Sequence, residues 1–400
     1  MSTQLFYHLF GIKGYRVIGV RIDSGRRIVR LRPNGRLLCC SACKCPQVVH
    51  SGRVVRLLHS VPVGLRATML EVTVPRLECR NCGLTRQLAF AFADPRASYT
   101  KAFARYVVTL ARHMSLSALA RLLNVGWDLI KSIVKRHLQQ HYGRPRLRHV
   151  RRIAIDEINL GRRFGFSTIV LDLDSGAVIY VGEGRSAAAL DPFWRRLRAS
   201  RAKIEAVAMD MGAAYRSAVK RHLPNAVCVV DRFHVVKLLN DKIAKLLRGE
   251  VKRAHGPHWK ILQGTRWLLT KRHDNLDEEA GEVERLQQAL RLNQPLATAY
   301  YLKEYLELFW KQETKAQAAK FFDAWIKTAL VSGVGQLINF ARSICRFRQE
   351  MLNWYDYPIS TGPLESANGR IRFIQRRACG YRDREFFTLC IYAMHDRVYA

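Results

Sequence analysis

Ile153-Ala154-Ile155-Asp156-Glu157 is a strand-forming run that ends on two carboxylates. Two later runs have the same form, Ile204-Glu205-Ala206-Val207-Ala208-Met209-Asp210 and Ala226-Val227-Cys228-Val229-Val230-Asp231. Carboxylates are rare on buried strands unless they are paired or bound to a metal. Three strand ends of this kind therefore predict a metal site that activates a hydroxyl group.

The sequence between these runs predicts the rest of an α/β domain. Ser167 to Asp172 and Ala177 to Val181 read as a β-hairpin with its turn at Asp174-Ser175-Gly176. Helices are predicted over residues 191–197 and 213–222, the second stopped by Pro224. The predicted order is strand, hairpin, helix, strand, helix, strand.

The chain is strongly basic, and the charge is uneven. Its 400 residues carry a formal net charge of +35 and are 48% hydrophobic, so two or three domains with real cores are possible. Residues 1–150 hold 26 Lys and Arg against 5 Asp and Glu. A polyanion is the simplest partner, and the front of the chain is the expected place for DNA contacts. A ribosomal or RNA-binding protein would be equally basic.

No apolar run reaches the 18 residues that a membrane span needs, and the N-terminus lacks the features of a signal peptide. We therefore expect a cytoplasmic protein without membrane association. In that compartment cysteines bind metal more readily than they form disulfides.

Two C-x-x-C knuckles, Cys40 with Cys43 and Cys79 with Cys82, predict one structural zinc ion held by four thiolates. The alternation of apolar and polar residues between the knuckles is typical of a zinc ribbon. Cys39 and Cys45 flank the first knuckle and blur the ligand assignment. The alternative is a set of reduced cysteines in a hydrophobic core.

A helical pattern begins at Ser115, turns at Asn124-Val125-Gly126 and resumes from Trp127 to Leu138. This arrangement is typical of a helix-turn-helix, in which the second helix enters the major groove. The exposed positions of that helix are the predicted DNA contacts, namely Trp127, Asp128, Lys131 and Lys135. An ordinary helical hairpin in a core would show the same pattern. The basic stretch Gly143 to Arg148 reads as a linker.

A long helical block follows Asp231. From about Asn240 to Tyr355 the sequence reads as helical, with an acidic loop at Asp277-Glu278-Glu279. A helical block of this kind within an α/β domain is best interpreted as an insertion. Four of the five tryptophans in it are expected to form its core, with base stacking as the alternative; they are Trp259, Trp267, Trp310 and Trp325.

After this block, Ser360-Thr361-Gly362-Pro363 leads into another helix. Four of its polar residues recur every three or four positions and share one face; they are Glu365, Asn368, Arg372 and Arg376. Such a face could be a solvated ion-pair surface. The carboxylates at the strand ends favour instead a third acid for the same metal site.

Taken together and in order, these segments resemble a bacterial insertion-sequence transposase of the DDE type. The narrower resemblance is to the family with an N-terminal zinc ribbon, a helix-turn-helix and a ribonuclease-H-like catalytic domain split by a helical insertion. Nearly the whole chain is covered. The implied boundaries are 1–97 for the ribbon region, 98–143 for the helix-turn-helix, 144–150 for the linker, 151–240 for the first catalytic part, 241–355 for the insertion and 356–400 for the closing helices.

The resemblance implies that Asp156, Asp210 and Glu365 are the catalytic acids and hold two Mg²⁺ or Mn²⁺ ions. Asn368, Arg372 and Arg376 would contact DNA phosphates beside them, with arginine at 372 where the family favours lysine. Asp231 and His234 are secondary candidates. Their alternative role is purely structural, with Asp231 capping the next helix and His234 in its first turn.

The implied activity is Mg-dependent strand cleavage and strand transfer. The implied partners are double-stranded DNA, as terminal inverted repeats and as target, with the protein acting as a homodimer on paired ends. Two alternatives remain at this stage. One is a zinc-ribbon and helix-turn-helix regulator that binds DNA without cutting it. The other is a ribonuclease-H-like nuclease or junction resolvase that performs no strand transfer.

Overall fold

The structure is a computed structural model and describes residues 3–64 and 66–395. Its strands are β1 (Tyr15–Asp23), β2 (Arg26–Pro33), β3 (Val48–Val63), β4 (Arg66–Cys79), β5 (Thr85–Gln87), β6 (Arg152–Asn159), β7 (Phe166–Asp172), β8 (Val178–Glu183), β9 (Ala206–Met209) and β10 (Val227–Val230).

Its helices are α1 (Thr3–Phe10), α2 (Lys101–Ala111), α3 (Leu116–Leu123), α4 (Trp127–Tyr142), α5 (Asp191–Ser200), α6 (Ala213–His222), α7 (Arg232–Arg253), α8 (Gly256–Leu262), α9 (Arg266–Thr270), α10 (Glu282–Leu292), α11 (Gln294–Glu307), α12 (Lys315–Val331), α13 (Gly335–Cys345), α14 (Arg348–Leu352), α15 (Gly362–Arg377) and α16 (Arg384–Ala393). No helix in the described ranges is both long and apolar enough to span a membrane.

The chain divides into two compact units. The front unit comprises Met1–Arg144 and Ile374–Ala400, and the central unit comprises Pro145–Phe373. The sequence placed residues 356–400 together with the catalytic domain, whereas the structure assigns their last part to the front unit. The reason is that α16 packs on α4.

The front unit contains a sheet in the order β1-β2-β4-β3, with β5 paired to the end of β4. β3 and β4 form a long antiparallel hairpin, while β2 runs parallel to β4. Alternate residues of β4 are buried, as expected for a sheet with one face on a core. Phe6 of α1 and Leu31, Leu70 and Val72 of the strands are fully buried in that core.

Three helices of the front unit form the helix-turn-helix region. Thr100 and Ser115 cap α2 and α3 through their side chains. Asn124 ends α3 in the left-handed conformation, with φ 50°, which asparagine tolerates better than most residues. α2, α3 and α4 pack together around Phe103, Leu119 and Ile133. The two predicted helices and their turn are thus present.

The central unit contains a second sheet in the order β10-β9-β6-β7-β8. β6, β7 and β8 form an antiparallel meander, and β9 and β10 run parallel to β6. All four residues of β9 are buried, as is usual for a parallel strand covered on both faces. Phe193 and Trp194 of α5 pack on this sheet. Every strand predicted here is present.

The helices from α7 to α14 surround a separate hydrophobic core in the central unit. Of the four tryptophans predicted to form this core, Trp310 and Trp325 are buried. The prediction is wrong for the other two, because Trp259 is 40% exposed and Trp267 is 69% exposed. Both lie on short helices, Trp259 on α8 and Trp267 on α9.

Candidate active site and metal centre

The central sheet brings three aspartates into one row. In the parallel pairs, Ile155 of β6 lies opposite Met209 of β9, and Met209 lies opposite Val230 of β10. The next residue of each strand is an aspartate, so Asp156, Asp210 and Asp231 follow at the same level on adjacent strands. Adjacent strands lie about 4.8 Å apart. The sheet register therefore places the three carboxylates side by side.

Asp156 is half-buried, and its carboxylate has a partner from a distant part of the chain. Nδ2 of Asn368 donates a hydrogen bond to Oδ2 of Asp156 at 3.0 Å. Burial raises the pKa of Asp156, and the negative charge of Asp210 raises it further, whereas the backbone N–H of Glu157 and the charge of His234 act in the opposite direction. The two carboxylates are thus close enough to repel each other, which favours a cation between them.

Asp210 is held by the turn that follows β9. The backbone N–H of Gly212 donates to Oδ1 of Asp210 at 2.8 Å. A Cβ at position 212 would lie 2.7 Å from that oxygen, so only glycine allows this close approach. The turn therefore fixes the carboxylate of Asp210 at the end of the sheet.

Asp231 is 1% exposed and fully hydrogen bonded. The backbone N–H of Thr361 donates to it at 3.1 Å, the Thr361 hydroxyl at 2.8 Å and Nδ1 of His234 at 3.2 Å. Its side chain makes no capping bond to α7, so the capping role that the sequence left open is not observed. The hydrogen bonds of Asp231 instead connect the end of β10 to Thr361, the residue that precedes α15.

His234 lies between Asp231 and the other two aspartates. Burial by itself lowers the pKa of His234, but the hydrogen bond to Asp231 and the negative charges of Asp231, Asp156 and Asp210 raise it above the usual value. In return, burial raises the pKa of Asp231, and the hydrogen bonds from His234 and Thr361 bring it below its usual range. An imidazolium beside a carboxylate is therefore the favoured state of this pair.

Glu365 is exposed in the first turn of α15, three residues before Asn368. Residues three apart on a helix have Cβ atoms about 5–6 Å from each other. Glu365 thus lies one turn from the side chain that contacts Asp156. Of the described His, Cys, Asp and Glu residues, only four cysteines have ligand atoms that all lie within 4.8 Å of one another, so Asp156, Asp210 and Glu365 form no cluster that tight.

Asn368 and the two arginines of α15 differ in exposure. Asn368 is 4% exposed, and in the described part of the chain no donor reaches its buried Oδ1. Arg372 and Arg376 are exposed on the helix surface. Asn368 therefore has its partner inside the site, on Asp156, whereas the arginines are accessible from solvent.

Glu157 faces the other side of the sheet from Asp156, as strand alternation predicts. Burial raises the pKa of Glu157, and the hydroxyl group of Tyr215 on α6 acts in the opposite direction. The Tyr215 hydroxyl is also 2.9 Å from Oγ1 of Thr168, the residue opposite Glu157 on β7. Tyr215, Thr168 and Thr361 were not found from the sequence, because single polar residues without spacing carry no signal of a distant partner.

The two cysteine knuckles converge as predicted. Sγ of Cys43 lies 3.5 Å from that of Cys79 and 3.6 Å from that of Cys82, and Cys40 lies 3.7 Å from Cys82. A tetrahedron with Zn–S bonds of about 2.3 Å needs sulfur atoms about 3.8 Å apart. The backbone N–H groups of Cys43 and Ala42 lower the pKa of Cys40 to about 6. The four thiols therefore fit a zinc ion, and neither Cys39 nor Cys45 belongs to the group.

The predicted DNA contacts on α4 have different environments. Trp127 and Asp128 are exposed in its first turn. Lys131 and Lys135 are half-buried, and each lies 3.0 Å from Oδ2 of Asp383, the residue that caps α16. The cap of α16 is readable in the sequence as Asp383 before a helix, but its lysine partners are not.

Two family models match this chain. The transposase model DDE_Tnp_ISL3 matches residues 153–391, and the model of the helix-turn-helix domain of transposase family ISL3 matches residues 89–138. The first match contains all the acids described above, and the second contains α2, α3 and most of α4.

Two curated relatives match along most of their length. The transposase for insertion sequence element IS1001 of Bordetella parapertussis is 31% identical, over 98% of this chain and 98% of its own. The transposase for IS1557 of Mycobacterium tuberculosis is 30% identical, over 90% of this chain and 86% of its own. Among solved structures, the Drosophila P element transposase strand transfer complex aligns with 76% of this chain and 94% of that chain, with a TM-score of 0.39 and 10% identity.

Proposed function

This chain belongs to the ISL3 family of transposases, and from that premise we propose that it performs Mg-dependent strand cleavage and strand transfer on DNA. It would bind the terminal inverted repeats of an insertion sequence and join them to target DNA. The observation that carries the proposal is the row of aspartates at the end of β6, β9 and β10, together with the hydrogen bond from Asn368 of α15 to Asp156. Glu365 lies one turn before Asn368 on the same helix.

The proposed catalytic domain is ribonuclease-H-like and is interrupted by the helical block. An antiparallel meander continued by two parallel strands supports the first part, and the separate core of α7 to α14 supports the second. For the front unit we propose a zinc ribbon, which the convergence of Cys40, Cys43, Cys79 and Cys82 supports. One structural zinc ion would contribute roughly 10–16 kcal/mol to the folding of so small a module.

The donor set fits hard divalent cations. Asp156 and Asp210 follow at the same level on adjacent strands, and the buried Oδ1 of Asn368 is a neutral oxygen that no donor reaches within residues 3–64 and 66–395. Mg²⁺ prefers such oxygen ligands and keeps part of its water shell. A pair of bound Mg²⁺ ions would supply charge stabilisation at the attacking and leaving oxygens of a phosphodiester. Asp156, Asp210 and Glu365 would hold them.

The other residues have supporting roles in this proposal. Asn368 orients the carboxylate of Asp156 through its amide, so we now assign it to positioning and not to phosphate contact. Asp231, which is bonded to His234, fixes the entry of α15 through Thr361, and α15 is the helix that carries Glu365. Arg372 and Arg376 are accessible and would bind the phosphates that flank the scissile bond.

The reaction would take place in two displacements. Water first attacks the phosphorus at the element end, and the bond to the 3′ oxygen breaks to leave a 3′-hydroxyl. That hydroxyl then attacks a phosphorus of the target strand, and the target's own 3′ oxygen leaves. Both displacements use the same carboxylates, which explains why one site serves cleavage and joining.

One experiment tests the proposal against its alternatives. Wild-type protein and Asp156→Asn are incubated with labelled terminal-repeat duplex, target plasmid and Mg²⁺. We expect the wild type to nick and join, and the variant to bind equally well without either product. Binding without any strand breakage by the wild type would favour a regulator, and nicking without joined product would favour a nuclease.

A further inference from the structure

Two of the predicted DNA contacts on α4, Lys131 and Lys135, have their charges neutralised by carboxylates of the front unit. Lys131 and Lys135 share the carboxylate of Asp383, and Lys135 also lies 2.6 Å from Glu385. Burial raises the pKa of Asp383, but the Phe386 backbone N–H and the two lysines lower it to about 2, so the carboxylate stays charged. A DNA phosphate approaching these lysines would have to displace a carboxylate.

The opposite side of α4 has the reverse character. There α2 and α4 enclose a cleft of about 410 Å³. Four basic residues line it against a single acid, Asp94; they are Lys101, Arg105, Arg112 and Arg136.

The single acid reaches only part of this cluster. Asp94 lies 3.7 Å from Lys101 and 3.5 Å from Arg136. Among the described residues no ion pair reaches Arg105 or Arg112, and both side chains are exposed. The cleft therefore retains a positive charge that the protein does not neutralise.

His137 also lines the cleft, and its pKa is affected by the positive charges nearby. Burial lowers its pKa, and the positive charges of His141 and Arg112 lower it further. The contribution of these positive neighbours adds to the larger effect of burial and agrees with the positive charge of the cleft.

The spacing of the cations suits a polymer of phosphates. Arg105 and Arg112 are seven residues apart on one side of α2, or about 10 Å along the axis at 1.5 Å per residue. Lys101 extends the row by one more turn. Double-stranded DNA carries one charge per about 1.7 Å of its axis, so a row of this length meets several phosphates.

We propose that the α2–α4 cleft is a phosphate-binding surface for the backbone of double-stranded DNA, with Arg105 and Arg112 as its principal contacts. This inference rests on the proposed function, because it assumes that the protein binds DNA. It assigns the electrostatic part of binding to the α2 side of the domain, and not to Lys131 and Lys135. Phosphate contacts of this kind position the protein without reading sequence.

The test compares the salt dependence of binding in two double variants of the full chain. In Arg105→Gln/Arg112→Gln, the slope of log K against log salt on a terminal-repeat duplex should become shallower by about 1.8, at 0.9 per phosphate lost. Affinity should fall equally on a random duplex, because the contacts are to the backbone. Arg105→Lys/Arg112→Lys should keep most of the wild-type slope, which excludes a folding defect as the cause.

Lys320→Gln/Lys327→Gln is the matched control, since these exposed residues of α12 have the same seven-residue spacing. Its slope should equal that of the wild type. An unchanged slope in the arginine variant, or a change confined to duplex RNA, would overturn the assignment. Failure of the wild type to bind any duplex would instead defeat the proposed function, so the two failures are distinguishable.

Discussion

Nδ2 of Asn368 lies 3.0 Å from Oδ2 of Asp156, although 212 positions separate the two residues in the chain. This bond connects α15 to the middle strand of the central sheet. Glu365 lies one turn earlier on the same helix, so the helix that contacts Asp156 also carries the third proposed acid.

Asn368→Ala should slow strand cleavage by about 10- to 100-fold and raise the Mg²⁺ concentration needed for half-maximal rate, as loss of a group that orients a metal ligand usually does. DNA affinity should not change, because the side chain is buried. Arg370→Ala, at an exposed position of the same helix, serves as control. Weaker DNA binding with a normal cleavage rate would restore the phosphate-contact role that the sequence suggested.

Thr361→Val should destabilise the central unit by about 1–3 kcal/mol, because it leaves the buried Asp231 without one of its donors. The change keeps the shape of the side chain, so packing is preserved. Thermal unfolding followed by circular dichroism measures the effect, with the exposed Ser366→Ala on α15 as comparison. Equal melting temperatures for both variants would mean that the hydroxyl bond to Asp231 carries no stability.

The pair of His234 and Asp231 should make stability depend on pH. The pKa of His234 is raised in the folded protein, so its contribution is fully present below the unfolded value of about 6.5 and is lost as the pH rises through the folded value. The wild type should therefore lose stability relative to His234→Gln between pH 6 and pH 8. Urea unfolding at several pH values measures this difference. A difference that grows with pH would contradict the charged pair.

Removal of zinc should unfold the front sheet. Purified protein should contain one zinc ion per chain, and Cys43→Ser should lose it together with a cooperative melting transition. Cys45→Ser is the internal control, because Cys45 lies outside the cluster of four thiols. Loss of zinc in Cys45→Ser but not in Cys43→Ser would reassign the ligands of the first knuckle.

Much of the fold follows from local sequence patterns. The apolar runs that end on Asp156, Asp210 and Asp231 predict β6, β9 and β10, and α6 covers the predicted residues 213–222. These predictions succeed because burial on both faces of a parallel strand leaves a continuous apolar signature. The convergence of the four cysteines could be predicted because the C-x-x-C spacing itself brings two thiols close enough to bind one ion.

The long-range pairings could not be read from the sequence. Helical periodicity places Asn368 on a face with Glu365, but it does not say whether that face meets solvent or Asp156. The same limit applies to Lys131. A basic residue on a helix-turn-helix predicts a contact with DNA, but in the structure Lys131 forms an ion pair with Asp383. Trp267 shows the converse, since a large aromatic residue predicts burial, whereas Trp267 is 69% exposed on a five-residue helix.

The central claim is that Asp156, Asp210 and Glu365 meet at one divalent metal site. Iron-directed cleavage tests it most directly: Fe²⁺ is bound in place of Mg²⁺, ascorbate and peroxide generate hydroxyl radicals, and mass spectrometry locates the backbone cuts. We predict cuts beside positions 156, 210 and 365, all suppressed by excess Mg²⁺ and absent in Asp156→Asn. Cuts beside 156 and 210 with none near 365 would contradict the claim.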